Sequence, residues 1–403
     1  MSDATLDPRL ASARAAPKRK LRLSWSDPRF RAIVWQAVIL GLVGLIVWYL
    51  IHNTSQNLAA RRIATGFGFL SRTAGIPIGE SLISYNPADD TYGRALIIGV
   101  LNTLKVSVIG IVLATILGTL VGIGRLSKNW LVARVTGFYV ETLRDLPLLL
   151  QLLFWYTVLQ GLPAPRNAIS IEGEVFLSNR GLKLPTLDWE FAHTAALLMF
   201  LVGIGGTWLW NRRAWLRQEA TGERPAVWPV AVGLLLVLPL FVWAVLGAPF
   251  HWDIPALRGF NFQGGTNISP EYFALLIGLV TYTAGYIAEI VRSGIQAVAW
   301  GQWEAAGALG LKRGAVLRHI VLPQAMRVII PPMTSQYLNL TKNSSLAVAI
   351  GYQDLVSIAN TTLNQTGQAI EGIAVIMAVY LTISLSISLF MNWYNAHIAL
   401  VER

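Results

Sequence analysis

The 403-residue sequence contains no cysteine, which removes disulfides, thiolate nucleophiles and cysteine-based metal sites together. Its five histidines, His52, His193, His251, His319 and His397, stand far apart with no HxxxH pair, so no metal centre is expected. No G-x4-G-K-[ST] run occurs, and a phosphate loop for ATP is therefore not expected in this chain. Gly66-Phe67-Gly68 lacks the third glycine and the strand–helix context of a dinucleotide fingerprint. No Ser/His/Asp cluster sits on a recognisable scaffold, so an enzyme is not expected either. Charge is scarce as well: only 13% of residues are Asp, Glu, Lys or Arg, against roughly 25% in soluble domains.

What fills the chain is apolar. Hydrophobic residues make up 54% of it, and mean hydropathy is +0.52. A hydrocarbon core of about 30 Å takes roughly 20 residues of helix. Eight runs meet or approach that, near 32–51, 95–123, 136–160, 194–210, 227–248, 272–292, 325–349 and 372–394. The expected fold is an all-α polytopic membrane protein of about eight transmembrane helices, with the lipid bilayer as its solvent. The net charge of +11 could suggest nucleic acid, but arginine and aromatic residues do not interleave as a nucleic-acid surface requires, and the basic residues fall in short loops. Arg125, Lys128 and Arg134, then Arg212, Arg213, Arg217 and Arg224, then Lys312, Arg313 and Arg318 alternate with loops poor in excess basic charge. The positive-inside rule then places both termini and residues 304–323 in the cytoplasm. The expected organisation is a basic tail at 1–28, an added span at 29–52, a periplasmic segment at 53–94 and a core at 95–394. An insertion of about 100 residues, 162–265, carries spans 4 and 5.

Several short segments ask for more than membrane crossing. Residues 304–323 read EAAGALGLKRGAVLRHIVLP. Helix-forming Glu304, Ala305 and Ala306, a glycine at 310, an amphipathic stretch with Arg313 and a stop at Pro323 predict two short helices about a Gly310 bend. At the start of span 3, Glu141, Arg144 and Asp145 share one helical face, just before Pro147. They read as an interfacial ion pair or as an inner gate or docking contact. Glu289 and Arg292, an i,i+3 pair ending span 6, bracket the same surface. Span 7 holds Asn339, Thr341, Lys342, Asn343 and Ser344 after Pro331-Pro332. A lysine inside a span costs on the order of 3 kcal/mol by insertion scales unless it lines a polar cavity. This stretch reads as a pathway-lining face, with interhelical hydrogen bonding as the alternative. Lys105 lies nearer a span end, where snorkelling is expected. Gly118 and Gly122, and Gly203, Gly205 and Gly206, predict close helix packing, while Ala59–Arg72 reads as a surface-lying segment.

The Glu304–Pro323 pattern resembles, at each key position, the EAA signature (EAA-x3-G-x9-I-x-LP) of permease subunits of ATP-binding-cassette importers. YVETLRDLPLLLQ (139–151), AGYIAEIVRSGIQAV (284–298) and 323–346, ending NLTKNSSL, are similar to three further blocks of the polar amino-acid permease family, in the family's order. Within it the chain most resembles the first permease of general L-amino-acid importers. The resemblance implies a type I importer core and a second permease chain, with two ATPase subunits holding ATP and Mg outside this chain. It also implies a periplasmic amino-acid-binding protein, a polar L-amino-acid substrate and an inner-membrane location. It makes Glu304, Ala305, Ala306, Gly310, Arg313 and Pro323 the coupling element. An ion-driven secondary amino-acid transporter is the alternative; it would need inverted repeats and mid-membrane carboxylates, and the spans hold almost none of the latter.

Overall fold

The computed structural model describes Trp25, residues 28–60 and residues 65–398. The basic tail expected at 1–28 falls outside these residues apart from Trp25 and Pro28. The chain divides into two units, 1–66 and 67–403. In the first, α1 (Pro28–Ala60) is one apolar helix of 33 residues. It contains the expected first span and runs beyond its predicted end.

The second unit is organised around α8 (Pro270–Gln296). It packs against α2 (Tyr92–Arg125), α3 (Trp130–Asp145), α4 (Leu148–Gln160) and α11 (Leu322–Asn343). Local sequence sets the starts of these helices. Thr91, Asn129 and Ser269 cap α2, α3 and α8 with side-chain oxygens accepting the first free N–H groups. Glycine sets their spacing. A Cβ on Gly118 would lie 2.6 Å from Ile287 Cβ, and one on Gly122 would lie 2.7 Å from the Ala288 carbonyl. The small-xxx-small pair therefore seats α2 directly on the α8 backbone.

The expected third span is two helices. Leu146 is extended and Pro147 starts α4, because proline offers no N–H and disfavours helix in the residue before it. The carbonyls freed at the break are recaptured within the same segment, not by a neighbouring helix. The Gln151 amide donates to Leu143 O at 2.9 Å and to Leu146 O at 3.0 Å. Among the described residues, six helices are long and apolar enough to cross a membrane: α1, α2, α5 (Phe191–Thr221), the run Trp228–Val245, α8 and α13 (Ala369–Ile398). The other two expected spans are the α3–α4 break, whose apolar half has 13 residues, and α11, whose 22 residues are amphipathic.

The insertion holds more than two spans. Its helical hairpin is α5 against α6 (Trp228–Val232), a π turn and α7 (Leu238–Val245). Gly203 lets α5 approach the Leu234 carbonyl, where a Cβ would meet it at 2.2 Å; Gly206 faces Leu234 as well, while a Cβ on Gly205 would meet nothing within 4 Å, so Gly205 is not part of the close packing. Flanking the hairpin are short strands that hydropathy did not reveal. β1 (Ile169–Ile171), β2 (Val175–Ser178), β3 (Gly181–Leu184) and β8 (Thr266–Ile268) form one antiparallel sheet in that order, so that only β3 pairs with β8. β4 (Thr186–Leu187) pairs with β5 (Trp252–Asp253), and β6 (Ala256–Arg258) with β7 (Asn261–Gln263). Strands of two to four residues are too short to establish an alternating pattern.

Of the segment Ala59–Arg72 expected to lie on the surface, residues 67–72 instead begin a packed stretch that runs to 91. Phe69, Ala74 and Ile76 are buried against Tyr92, Ala95 and Leu96 of α2 and against Leu355 and Ile358 of α12 (Leu355–Thr366). The helix α12 itself lies in what hydropathy reads as a loop.

Candidate functional site

Residues 300–343 form two helical arms joined at a bend. The first arm, α9 (Trp300–Ala308), ends on a Schellman motif: Leu311 N–H bonds Ala306 O at 3.2 Å and Gly310 N–H bonds Gly307 O at 2.9 Å. That motif needs a left-handed residue, and Gly310 has φ +69°. Ala306 is buried beside Val316 and Val321, so it anchors the knuckle. Glu304, Ala305, Leu309, Gly310 and Arg313 are exposed around it.

The second arm does not stop at Pro323. A short helix, α10 (Arg313–Val316), passes through a π turn at Leu317–Val321 into α11. The wider turn, closed by Leu322 N–H on Leu317 O, absorbs the proline whose ring nitrogen donates nothing. Residues 313–343 are thus one helical rod, about 46 Å long at 1.5 Å per residue, from the exposed knuckle to the far end of the bundle.

One face of that rod is polar and uncovered. Ser335, Asn339 and Lys342 are exposed on it beyond Pro331 and Pro332. Beside it, Gln336, Asn339 and Asn343 line a cleft of about 300 Å³ with Tyr282, Thr283 and Tyr286 of α8. The two tyrosine hydroxyls lie 3.2 Å apart. Thr341 and Ser344, expected on the same face, point into the packed interior. Both are fully buried, and their hydroxyls bond Tyr337 O and Thr341 O.

At the knuckle end, Glu289 accepts from Arg292 on its own helix and from Arg125 at the end of α2. Arg292 also donates to Gln296 at 2.6 Å. Arg144 crosses Gly285 and lies 5.0 Å over the Tyr286 ring, next to the polar cleft. Glu141 and Asp145 form no ion pair among the described residues. Glu141 instead lines a second cleft of about 300 Å³ with Arg125, Arg134 and Arg292. The structure therefore brings Glu141 and Arg292 together and leaves Asp145 outside the cluster.

The opposite end carries a cluster that hydropathy missed. Lys105 does not snorkel: its ammonium is 3.0 Å from the Glu80 carboxylate and 4.1 Å from the centre of the Tyr272 ring. The other Glu80 oxygen accepts from Ser269 N–H at 2.8 Å, and its carbonyl accepts from the Asn102 amide at 3.0 Å. Gln353 bonds both Pro77 O and Gly79 N at 2.6 Å. Segment 77–80 is thereby fastened over the ends of α2 and α8. Nearby, the fully buried Asp354 caps α12 through Ser357 N–H at 2.8 Å. Burial pushes its carboxyl up to about 6, against partial relief from backbone N–H groups and the Tyr380 hydroxyl. Only a fixed spatial neighbour could have exposed these roles, since 189 residues separate Glu80 from Ser269.

Residues 225–400 match the family described as "Binding-protein-dependent transport system inner membrane component". The chain is 51% identical over 387 residues to a putative amino-acid ABC transporter permease protein of Escherichia coli K12, covering 94% of this chain and 97% of that protein. It is 49% identical to a general L-amino acid transport system permease of Rhizobium johnstonii, over 95% of this chain and 96% of the relative. A glutamate/glutamine/aspartate/asparagine transport system permease of Rhodobacter capsulatus is 45% identical, over 98% and 100%. A solved amino acid ABC transporter with histidines overlays with a TM-score of 0.46 at 19% identity, over 76% of this chain and 95% of that one.

Proposed function

This chain belongs to the amino-acid permeases of binding-protein-dependent ATP-binding-cassette transport systems, and on that premise we propose that it imports polar L-amino acids by converting movement of partner ATPases into alternating access. It is the transmembrane permease subunit. ATP and Mg are held by separate ATPase chains; a second permease chain and a periplasmic amino-acid-binding protein complete the assembly in the bacterial inner membrane, with both termini cytoplasmic.

One observation carries the reading. The exposed knuckle and the uncovered polar face are two ends of the same rod, residues 313–343. A polar stripe with a lysine cannot be left in hydrocarbon at on the order of 3 kcal/mol, so a second permease chain or an aqueous path covers it. Glu304, Ala305, Gly310 and Arg313 meet the ATPase, with Ala306 holding the knuckle to the bundle and Pro323 marking the π turn. Closure of the ATPase pair displaces the knuckle, and the rod transmits the displacement to Asn339, Lys342 and Asn343. Thr341 and Ser344 keep the far end of the rod packed, while Glu289, bound to Arg125 and Arg292, keeps the ends of α2 and α8 moving together. Glu141, Arg144 and Asp145 support docking on the same side, with Arg144 reaching the cleft through Tyr286.

The test is uptake of labelled glutamine, glutamate, alanine and arginine by proteoliposomes holding the whole complex, ATP inside and binding protein outside. Uptake should require ATP and survive ionophores. Collapse with ionophores while ATP is present would favour the ion-driven secondary transporter. Lys342→Ala should alter uptake kinetics without loss of assembly, and unchanged kinetics for every amino acid would remove the pathway role from that face.

A further inference from the structure

The proposed transport function assigns no role to the end of the inserted hairpin. α5 has 31 residues, about 46 Å of helix, where the hydrocarbon core takes about 30 Å. The surplus is its polar C-terminal stretch, residues 211–221. Exposed Arg212, Arg213 and Arg217 sit there, joined by Arg224 after the left-handed Gly222 turn. Glu219 and Glu223 are the acidic residues of this stretch, and none of the four arginines forms an ion pair among the described residues. Arg224 donates to Asn211 Oδ1 at 3.0 Å, and Arg212 lies 5.8 Å over the Trp208 ring. Trp208, Trp215 and Trp228 flank them, 59%, 54% and 72% exposed.

The hairpin packs mainly on itself. Only 11% of the apolar window of α5 and 6% of that in Trp228–Val245 is buried, so its outer apolar surface is left uncovered by the rest of this chain. Indoles settle at the headgroup level of a bilayer. Guanidinium groups just beyond that level pair with phosphate oxygens through two parallel N–H bonds. We propose that this hairpin end is a binding surface for anionic phospholipid headgroups, which tether the insertion to the headgroup layer beside the permease core. The charge is complementary, the apolar and aromatic shoulder matches acyl chain and glycerol, and the arginines lack a protein counter-ion among the described residues.

The experiment is native mass spectrometry of the intact purified complex, titrated with phosphatidylglycerol, phosphatidylcholine or inorganic phosphate. Each basic residue near an anionic surface is worth about five-fold in binding. Phosphatidylglycerol should therefore bind preferentially, and Arg212→Gln/Arg213→Gln/Arg217→Gln should weaken it by at least ten-fold while phosphatidylcholine is unaffected. Glu219→Gln/Glu223→Gln should tighten it, a gain that misfolding cannot imitate. Equal binding of the two lipids, or an unchanged triple variant, overturns the proposal. So does displacement of the lipid by inorganic phosphate alone, which would indicate a simple anion site. Loss of the ATPase chains from the triple variant also overturns it, by making the arginines a protein contact.

Discussion

Replacing Gly310 isolates the conformational part of coupling from its sterics. Gly310 holds φ +69° at the left-handed position of the Schellman motif, and a Cβ there would meet nothing within 4 Å. A substitution therefore changes only backbone preference. An L-residue with a Cβ costs about 1–2 kcal/mol in that conformation, and about 1.4 kcal/mol is ten-fold in an equilibrium. Gly310→Ala should lower the population of the folded knuckle relative to alternative turns by roughly five- to thirty-fold. Asparagine, which tolerates the left-handed region, should cost less, and valine, β-branched, more. Proline cannot adopt positive φ at all. Binding-protein-stimulated ATP hydrolysis and uptake should accordingly fall in the order Gly, Asn, Ala, Val, Pro. Basal ATP hydrolysis and membrane insertion should change little. The knuckle lies outside the packed spans, so the loss belongs to coupling and not to folding. If alanine and valine support wild-type coupling, or asparagine is worse than alanine, the left-handed cap is not what transmits force.

Three further outcomes rest on other parts of the molecule. Gln151→Leu strands the Leu143 and Leu146 carbonyls at the α3–α4 break, each at about 1–3 kcal/mol; the thermal midpoint of the purified complex should drop sharply, and a variant as stable as wild type would refute the recapture. Lys105→Met and Glu80→Gln each leave a mostly buried partner (side chains 25% and 15% exposed), so in a double-mutant cycle the double variant should be more stable than the sum of the singles by on the order of 1–2 kcal/mol; additivity would mean that the ion pair is incidental. Asp354→Asn keeps a capping side chain but removes a titrating one. The folded carboxyl is raised to about 6 from an ordinary 3.8, so wild-type stability from this group is complete below about 4 and is lost as pH rises through about 6. The stability of the Asn variant relative to wild type should therefore increase between those values, and a pH-independent difference would contradict the burial of the charge.

Six of the eight expected spans and the Gly310 knuckle were legible in the sequence, because each depends on neighbours within a few residues. Apolar run length, proline's missing N–H and glycine's access to positive φ act locally. Their consequences were less legible. Pro323 reads as a stop, yet a π turn five residues long carries the helix past it. Thr341 and Ser344 share a polar stretch with Asn339 and Lys342, but helical phase and the packing of α11 turn them inward. Asp145 looks equivalent to Glu141 along the chain and is left outside the arginine cluster. Composition and local pattern thus determined that this is a many-span membrane protein with a folded loop and a polar seventh helix. Tertiary structure alone decided that Glu289 joins α2 to α8 through Arg125, and that Glu80 fastens Lys105 to the start of α8. It also decided that knuckle and polar face lie on one rod. The reason is that an ion pair forms wherever packing brings two charges within reach, and the sequence distance between them, 164 residues for Arg125 and Glu289, carries no trace of it.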